Sequence, residues 1–181
     1  MKKYQIIYAD PPWHYKNYAD NTASRWVGSQ YKTMGIEDIC NLPIREITDD
    51  NCVLFLWTTP PTLFENVPWV LRSWGFQYKT KAFCWVKRNK IADSFFWGMG
   101  YWTRSNTEDC LLCTKGNPKR VNAGVHQVIY SAIRNHSQKP DETRDKIIQL
   151  CGDIPRIELF AREKTPGWDV WGNEVESDII L

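Results

Sequence analysis

The sequence lacks the segments that mark a secreted or membrane-spanning protein. It contains no apolar run long enough to cross a bilayer, which excludes a helical membrane protein. The first residues, Met1 to Lys3, lead directly into a short strand pattern without the apolar core of a signal peptide, so we expect a cytoplasmic location. The net charge is also small, at +2, and by itself it indicates no particular partner.

The sequence also lacks the pattern of a metal centre or a disulfide framework. Cys110 and Cys113 have the spacing of half a zinc site, but they lie in an apolar run that predicts a strand. Residues three apart on a strand point to opposite faces, so this pair cannot chelate one ion. No second cysteine pair and no histidine-rich segment accompanies it. We therefore expect no bound metal and six reduced thiols, as is usual in the cytosol.

Aromatic side chains, by contrast, are abundant, at 14% of the chain with ten tryptophans. Part of this set must form the core, and the rest are candidates for stacking on flat ligands. Basic residues gather in loop-like segments, where they form either an ordinary solvated surface or a contact with a polyanion. These residues are Lys16, Arg25 and Lys32 in the first segment, Lys87, Arg88, Lys90 and Arg104 in the second, and Lys119 and Arg120 in the third.

The hydrophobic pattern predicts a single α/β domain over residues 1–181. Several apolar runs are hydrophobic on both faces, as is typical of strands in a sheet covered by helices on both sides. In such folds, ligands bind at the carboxyl ends of the strands. Pro140 suits the first position of the last helix. The predicted strands are 4–9, 53–57, 81–86, 109–114, 125–130 and 156–161, and the predicted helices are 35–44, 62–74 and 140–151.

The strongest chemical signal is Asp10-Pro11-Pro12-Trp13, directly after the first predicted strand. Two prolines stiffen the turn and leave its carbonyl oxygens free to accept hydrogen bonds. A carboxylate beside such a carbonyl offers two fixed acceptors, which match the two hydrogens of a neutral amino group and direct its lone pair toward an electrophile. Trp13 would offer a ring face to a flat base. The alternative is a proline-capped strand end with a surface Asp and a packing Trp.

With seven further segments, this tetrapeptide resembles the MT-A-70-like family of S-adenosylmethionine-dependent adenine-N(6) methyltransferases. The resemblance covers nearly the whole chain in the family's order. It implies a Rossmann-like methyltransferase domain with a mostly parallel sheet, helices on both faces and a permuted order, the catalytic motif being N-terminal and the cofactor-site strand C-terminal. The matching segments are residues 8–13, 31–34, 54–57, 85–87, 114–118, 136–142, 156–162 and 168–173.

The resemblance also implies roles for individual residues. Asp10 through Trp13 would hold the target amine, and Asp10 would also lie near the methionine end of S-adenosylmethionine. Lys115 would lie near the methionyl group, and Glu158 would hold the ribose hydroxyls. Residues 136–139 would either shape a turn or border the cofactor pocket. Arg162, Asn173 and Glu174 would line the ribose and adenine, and Tyr31 would approach the acceptor base.

The implied reaction is direct methyl transfer from S-adenosylmethionine to the adenine amine, with no covalent enzyme intermediate, since no cysteine adjoins the catalytic turn. The compact chain carries no zinc finger and no separate target-recognition domain, which favours DNA over RNA as substrate. An RNA enzyme, a cytosine-N(4) methyltransferase and a non-catalytic binding subunit are alternatives, and a homodimer or a second subunit stays open. The irregular segments 14–34 and 87–107 would contact nucleic acid through Lys16, Arg25, Lys87, Arg88 and Arg104, or else form ordinary surface and a dimer contact.

Overall fold

A single seven-stranded sheet organises the chain. The computed structural model describes residues 2–14, 33–100, 102–134 and 138–181. The helices are α1 Ile36–Asn41, α2 Ile44–Ile47, α3 Pro60–Leu63, α4 Val67–Trp74 and α5 Glu142–Cys151. The strands are β1 Tyr4–Ala9, β2 Thr48–Thr58, β3 Gln77–Arg88, β4 Thr107–Lys115, β5 Val128–Ala132, β6 Arg156–Leu159 and β7 Asp169–Trp171.

The strand order is β5-β3-β4-β2-β1-β6-β7, with β1 in the interior. Strand β1 pairs in parallel with β2 and β6, β6 with β7, and β3 with β5. Strand β4 is antiparallel to both of its neighbours, β2 and β3, so it alone runs against the other six. The sheet is therefore mixed but mostly parallel, and this confirms the predicted Rossmann-like fold class.

Both faces of the sheet are apolar, and helices cover both. On one face, Ile7 and Leu54 pack with Ile39 of α1 and Trp74 of α4. On the other face, Phe55 packs with a set that includes Ile147 of α5. Full burial of each such side chain contributes roughly 1.5–3 kcal/mol to stability. The strands that read as hydrophobic on both faces are thus the central strands.

Prolines divide two of the predicted helices. The predicted helix 35–44 covers α1 and only the first residue of α2, because Pro43 disfavours helical backbone at the residue before it. The predicted helix 62–74 consists of α3 and α4; α4 has Pro68 in its first turn and ends at Gly75, whose φ is +81°. The prediction for Pro140 was also wrong. It precedes the helix, and its carbonyl accepts the Thr143 N–H at 3.1 Å.

The two cysteines at zinc-like spacing lie on opposite faces of β4, as predicted. Cys113 belongs to the cluster around Leu54, and Cys110 to the cluster around Phe55. In the part of the chain that the structure describes, no group of three potential ligands is placed to hold a metal ion. Within the same ranges, no helix has both the length and the apolar character needed to cross a membrane.

Candidate active site

A pocket of about 320 Å³ opens where β1, β6 and β7 end. These three strands are neighbours and parallel, so the segments that leave them meet at one edge of the sheet. This edge brings together predicted site residues that are more than 150 residues apart in the chain. The lining comes from Asp10, Pro11 and Pro12 after β1, Phe160, Ala161 and Arg162 after β6, and Trp171, Gly172, Asn173 and Glu174 at the end of β7, with Met34.

Two pocket walls touch through their backbones. The Ala161 N–H donates to the Trp171 carbonyl at 3.0 Å. Gly172 approaches Ala161 so closely that a Cβ at this position would lie 2.1 Å from the Ala161 carbonyl oxygen. Phe160 has a φ of +61°, a left-handed conformation that costs roughly 1–2 kcal/mol in a residue with a Cβ. Local strain of this kind is common at binding sites.

The catalytic turn differs from its prediction in two ways. Its carbonyls are not free: the Pro11 carbonyl accepts the Trp13 N–H at 2.8 Å, and the Pro12 carbonyl accepts the Met34 N–H at 3.0 Å. Trp13 is only 4% exposed, and its Nε1–H donates to the Trp57 carbonyl at 3.0 Å. The prediction of a stacking face on Trp13 was therefore wrong, because this ring packs into the core and fixes the turn.

Lys139 is the partner of the catalytic carboxylate. Its Nζ donates to Asp10 Oδ2 at 2.7 Å, and only 9% of its side chain is exposed. Removal from solvent raises the pKa of Asp10 above its ordinary value, and the Lys139 ammonium opposes that rise. Of the two interpretations of residues 136–139, Lys139 thus supports the one that borders the site. Residues 135–137 lie outside the described residues.

The Lys139 ammonium also joins Asp10 to charges on β3 and β4. Lys139 Nζ lies 3.2 Å from Glu108 Oε2, and Lys87 Nζ lies 2.5 Å from Glu108 Oε1. We call Asp10, Lys139, Glu108 and Lys87 the buried charge chain. The predicted contact of Lys87 with nucleic acid was wrong for this arrangement, because its ammonium is held by Glu108 and the side chain is 16% exposed.

Lys115 does not reach the site. It is the last residue of the reversed strand β4 and pairs with Cys52, one residue before the Val53 that pairs with Ile6. That level lies near the start of β1, roughly 15 Å before Asp10 at about 3.3 Å per residue. The predicted contact with the methionyl group was therefore wrong. The role of Lys115 had been inferred from the family resemblance, which records the order of the motifs but not the direction of β4.

Glu158 lies beside β1 but points away from the pocket lining. It pairs in register with Tyr8, and both of its carboxylate oxygens accept from Arg144, at 2.7 and 3.0 Å. Both side chains are about nine-tenths buried. Burial raises the pKa of Glu158, and Arg144 opposes the rise. The predicted hold on ribose hydroxyls conflicts with this arrangement, in which Glu158 binds α5 to β6.

The remaining predicted contacts are more exposed. Arg162 Nε lies 3.5 Å from Glu174 Oε1 across the pocket mouth, and both side chains reach solvent. Asn173, between β7 and Glu174, is also exposed. All three residues line the pocket. Lys16, Arg25 and Tyr31 lie outside the described residues.

Residues 89–100 and 102–106, which lie between β3 and β4, are called the aromatic arm below. Its base is ordered by the Asn89 side chain, which donates to the Ser94 hydroxyl at 2.9 Å, and by Phe95 packing on Tyr130 of β5. A Cβ on Gly98 would lie 1.8 Å from the Ser105 carbonyl, so the two sides of the arm are in close contact. Its exposed apolar side chains are Ile91, Phe95, Trp97, Met99 and Trp102.

Comparison with known proteins identifies the family. A profile of the MT-A70 family matches residues 4–174. The chain belongs to the MT-A70 family. It is 35% identical to the type II methyltransferase M.MunI of Mycoplasma sp over 196 residues, which cover 99% of this chain and 81% of that protein. It is 32% identical to human METTL3, the catalytic subunit of an N(6)-adenosine-methyltransferase, over 185 residues, which cover this chain fully but only 30% of METTL3. The resemblance predicted from the sequence is thus confirmed.

The pocket of this MT-A70 protein suits a ligand such as S-adenosylmethionine. Its volume falls in the range of small-molecule sites, roughly 300–1,000 Å³. The Asp10 carboxylate and the polar side chains of Arg162, Asn173 and Glu174 all line the pocket and can bind the charged and hydroxyl-bearing ends of such a ligand. A glycine is needed at position 172, because a Cβ there would lie 2.1 Å from the Ala161 carbonyl oxygen.

Proposed function

We propose that this protein transfers the methyl group of S-adenosylmethionine to the exocyclic N6 amine of adenine in DNA. Membership of the MT-A70 family, and similarity to proteins named N(6)-adenosine-methyltransferases, make it an adenine methyltransferase. The observation that carries the proposal is the position of Asp10. It follows an interior strand, lines the pocket and is held by a buried lysine.

Asp10 serves as the acceptor that orients the target amine. Lys139 binds its Oδ2, which fixes the plane of the carboxylate and favours the ionised form needed to accept an amine N–H. The turn is held in place because the Trp13 indole hydrogen-bonds to β2 and the Pro12 carbonyl accepts the Met34 N–H. S-adenosylmethionine supplies an electrophilic methyl group on a positively charged sulfur. Positioning by fixed groups therefore provides most of the rate.

We assign the ribose and adenine end of the cofactor to Arg162, Asn173 and Glu174, and the methionine end to Asp10 with Lys139. The support is that all three polar residues line the same pocket as the Asp10 carboxylate. Because the Arg162–Glu174 pair spans the mouth at 3.5 Å and is partly exposed, it can open to admit a ligand at small cost.

DNA is favoured by the relatives and by the aromatic arm. The relative matched over most of its length is a type II methyltransferase, whereas the METTL3 relatives carry a further 70% of chain outside the match. The arm offers exposed aromatic rings, and Arg104 lies over the Trp97 ring at 5.3 Å. Such a surface suits a base flipped from a duplex and the phosphates beside it. Arg88, at the base of the arm, adds a second cation.

A second copy or another subunit is proposed for the surface next to the arm. Val128 and Tyr130 of the edge strand β5 are 56% and 47% exposed, and they continue the apolar surface of Phe95. Contiguous apolar patches of this kind often mark protein contacts. A single-domain organisation over residues 1–181 and a cytoplasmic location complete the proposal.

The test is transfer of labelled methyl groups from S-adenosylmethionine to matched DNA and RNA, with nucleosides identified by mass spectrometry. Asp10→Asn is compared with Asp38→Asn, which removes an exposed carboxylate on α1. We expect N6-methyladenine in DNA, reduced at least about 100-fold in Asp10→Asn and unchanged in Asp38→Asn. Methylation of RNA alone would change the substrate, and N4-methylcytosine would change the target. Absence of both transfer and cofactor binding would make the chain a non-catalytic subunit.

A further inference from the structure

The buried charge chain extends beyond the residues that line the pocket. Its charges alternate in sign from Asp10 to Lys139, Glu108 and Lys87. Glu108 lies at the start of β4 and Lys87 near the end of β3, and neither lines the pocket. Their side chains are 15% and 16% exposed. Glu108 and Lys87 are thus two buried charges outside the pocket. They lie next to the lysine that binds the Asp10 carboxylate, and their burial needs an explanation.

Glu108 determines where the Lys139 ammonium lies. Lys139 Nζ is 2.7 Å from Asp10 and 3.2 Å from Glu108, so it is held at two points that come from different strands. The Trp57 ring, whose centroid is 5.5 Å from Nζ, closes a third side. A long lysine side chain fixed in this way loses its rotamer freedom when the protein folds, rather than when it binds a ligand.

Lys87 keeps Glu108 charged and in place. Burial acts to raise the pKa of Glu108, but the ammonium groups of Lys139 and Lys87 hold it below its ordinary value. Burial alone would lower the pKa of Lys139, yet Asp10 and Glu108 hold it above its ordinary value. Along the buried charge chain each group thus faces a partner of opposite charge, which is the condition under which buried charges are tolerated.

We propose that Glu108 and Lys87 are positioning residues, which hold Lys139 and through it Asp10 in the geometry for methyl transfer. The inference rests on the proposed function and deepens it, because it extends the machinery to two strands that do not touch the pocket. Lys87 acts through Glu108, and Glu108 acts through Lys139. Among the residues that the structure describes, other titratable or charged groups near the buried charge chain are Arg162, Glu158, Tyr8 and Cys110.

The decisive variant is Glu108→Gln, which keeps the shape of the side chain and removes its charge. We expect kcat to fall on the order of 100-fold, because the Asp10 carboxylate loses its fixed position. Lys139 then loses the Glu108 carboxylate that helps to hold its proton, so the proton is lost more easily and the alkaline limb of the pH–kcat profile moves to lower pH. A merely structural role would lower activity equally at every pH. Glu108→Asp, which retains the charge, should keep the wild-type pH profile.

The matched control is Asp109→Asn, since Asp109 is the next residue on β4 and pairs with Lys81 on the other face. It should change neither kcat nor the pH profile. The double variant Lys87→Met/Glu108→Gln should be no worse than Glu108→Gln, because Lys87 acts only through Glu108. Losses that multiply, or a Lys87→Met effect confined to the KM for DNA, would instead make Lys87 a phosphate contact and overturn the proposal.

A second readout separates this proposal from the function itself. Acetic anhydride modifies neutral lysines, and mass spectrometry of the modified protein reports the reactivity of Lys139 against pH. We expect Lys139 to become reactive at lower pH in Glu108→Gln than in the wild type, whether or not methyl transfer occurs. Identical reactivity curves would refute the positioning role. An inactive wild type with the expected shift would refute only the methyltransferase activity.

Discussion

The indole N–H of Trp13 donates a hydrogen bond to the main-chain carbonyl of Trp57, so the catalytic turn after β1 is bound to the end of β2. The Trp57 indole in turn donates to the Tyr8 hydroxyl of β1 at 2.7 Å. Two tryptophans thus join β1 and β2 next to the pocket. We expect Trp13 to support the site rather than to contact the base.

Trp13→Phe should therefore affect stability more than nucleic-acid affinity. The variant leaves the Trp57 carbonyl without its buried donor, which costs about 1–3 kcal/mol. Denaturant unfolding measures this loss, and DNA titration should give an unchanged dissociation constant. A stable variant that binds DNA weakly would restore the stacking role for this ring.

Lys139→Met and Lys115→Met form a matched pair, because both remove one lysine charge. We expect Lys139→Met to lower kcat by about 100-fold or more, since Asp10 loses its bound ammonium. Lys115→Met should leave methyl transfer near the wild-type rate. Lys115 ends β4 at the level where β1 begins, whereas Asp10 follows the end of β1. Equal losses in both variants would contradict the direction of β4 described above.

Trp97→Ala and Trp102→Ala should each weaken DNA binding by about 1–3 kcal/mol, the usual contribution of a stacked base. The two rings are 71% and 93% exposed on the aromatic arm. The KM for S-adenosylmethionine should not change. Phe64→Ala is the control, since Phe64 is 85% exposed beside α3 and outside the arm. A change in oligomeric state without a change in DNA affinity would assign the arm to a subunit contact.

Arg144→Met should lower the free energy of unfolding by about 3–5 kcal/mol, because it leaves the buried Glu158 carboxylate unpaired. Replacing both partners, as in Arg144→Met/Glu158→Leu, should recover most of that loss. Arg134→Met is the control, because the Arg134–Asp141 pair is 37% and 59% exposed and such pairs contribute at most about 1 kcal/mol. Thermal or urea unfolding distinguishes the three variants.

Gly172→Ala should reduce cofactor affinity without abolishing the fold. The added Cβ would meet the Ala161 carbonyl and push two pocket walls apart. Strain of about 1–3 kcal/mol corresponds to a roughly 5- to 150-fold weaker dissociation constant. Calorimetry with S-adenosylhomocysteine measures it. Gly124→Ala is the control, because the nearest atom to its added Cβ is a side-chain oxygen at 3.3 Å.

The sequence predicted the elements whose signal is local. Strand β1 was placed at its observed bounds, and Asp10 directly after that strand, because a mostly apolar run ends at an aspartate followed by two prolines. The pocket wall after β6 and β7 followed from the resemblance, although β7 itself is only three residues long and was not predicted. Short strands carry too little pattern to separate them from a loop.

The errors concern residues whose role depends on long-range geometry. Lys115 was misplaced because the reversal of β4 follows from its pairing with β2 and β3, which no local pattern records. The ion pair of Glu158 with Arg144 was not predicted, because Arg144 lies on another element. The contact between Lys139 and Asp10 was missed for the same reason. In the sequence, a lysine before Pro140 has the pattern of a turn residue, and only the fold places it beside Asp10.

The pairing of Ile6 with Arg156 also fixes the order in which the site can form during translation. The catalytic turn leaves the ribosome roughly 150 residues before the strand that completes its pocket, a delay of about 10–30 s at ordinary elongation rates. Over that interval β1 can pair only with β2. During that interval the nascent chain contains the Asp10 carboxylate but not the pocket lining that follows β6 and β7. We expect methyl transfer only after synthesis has passed Glu174.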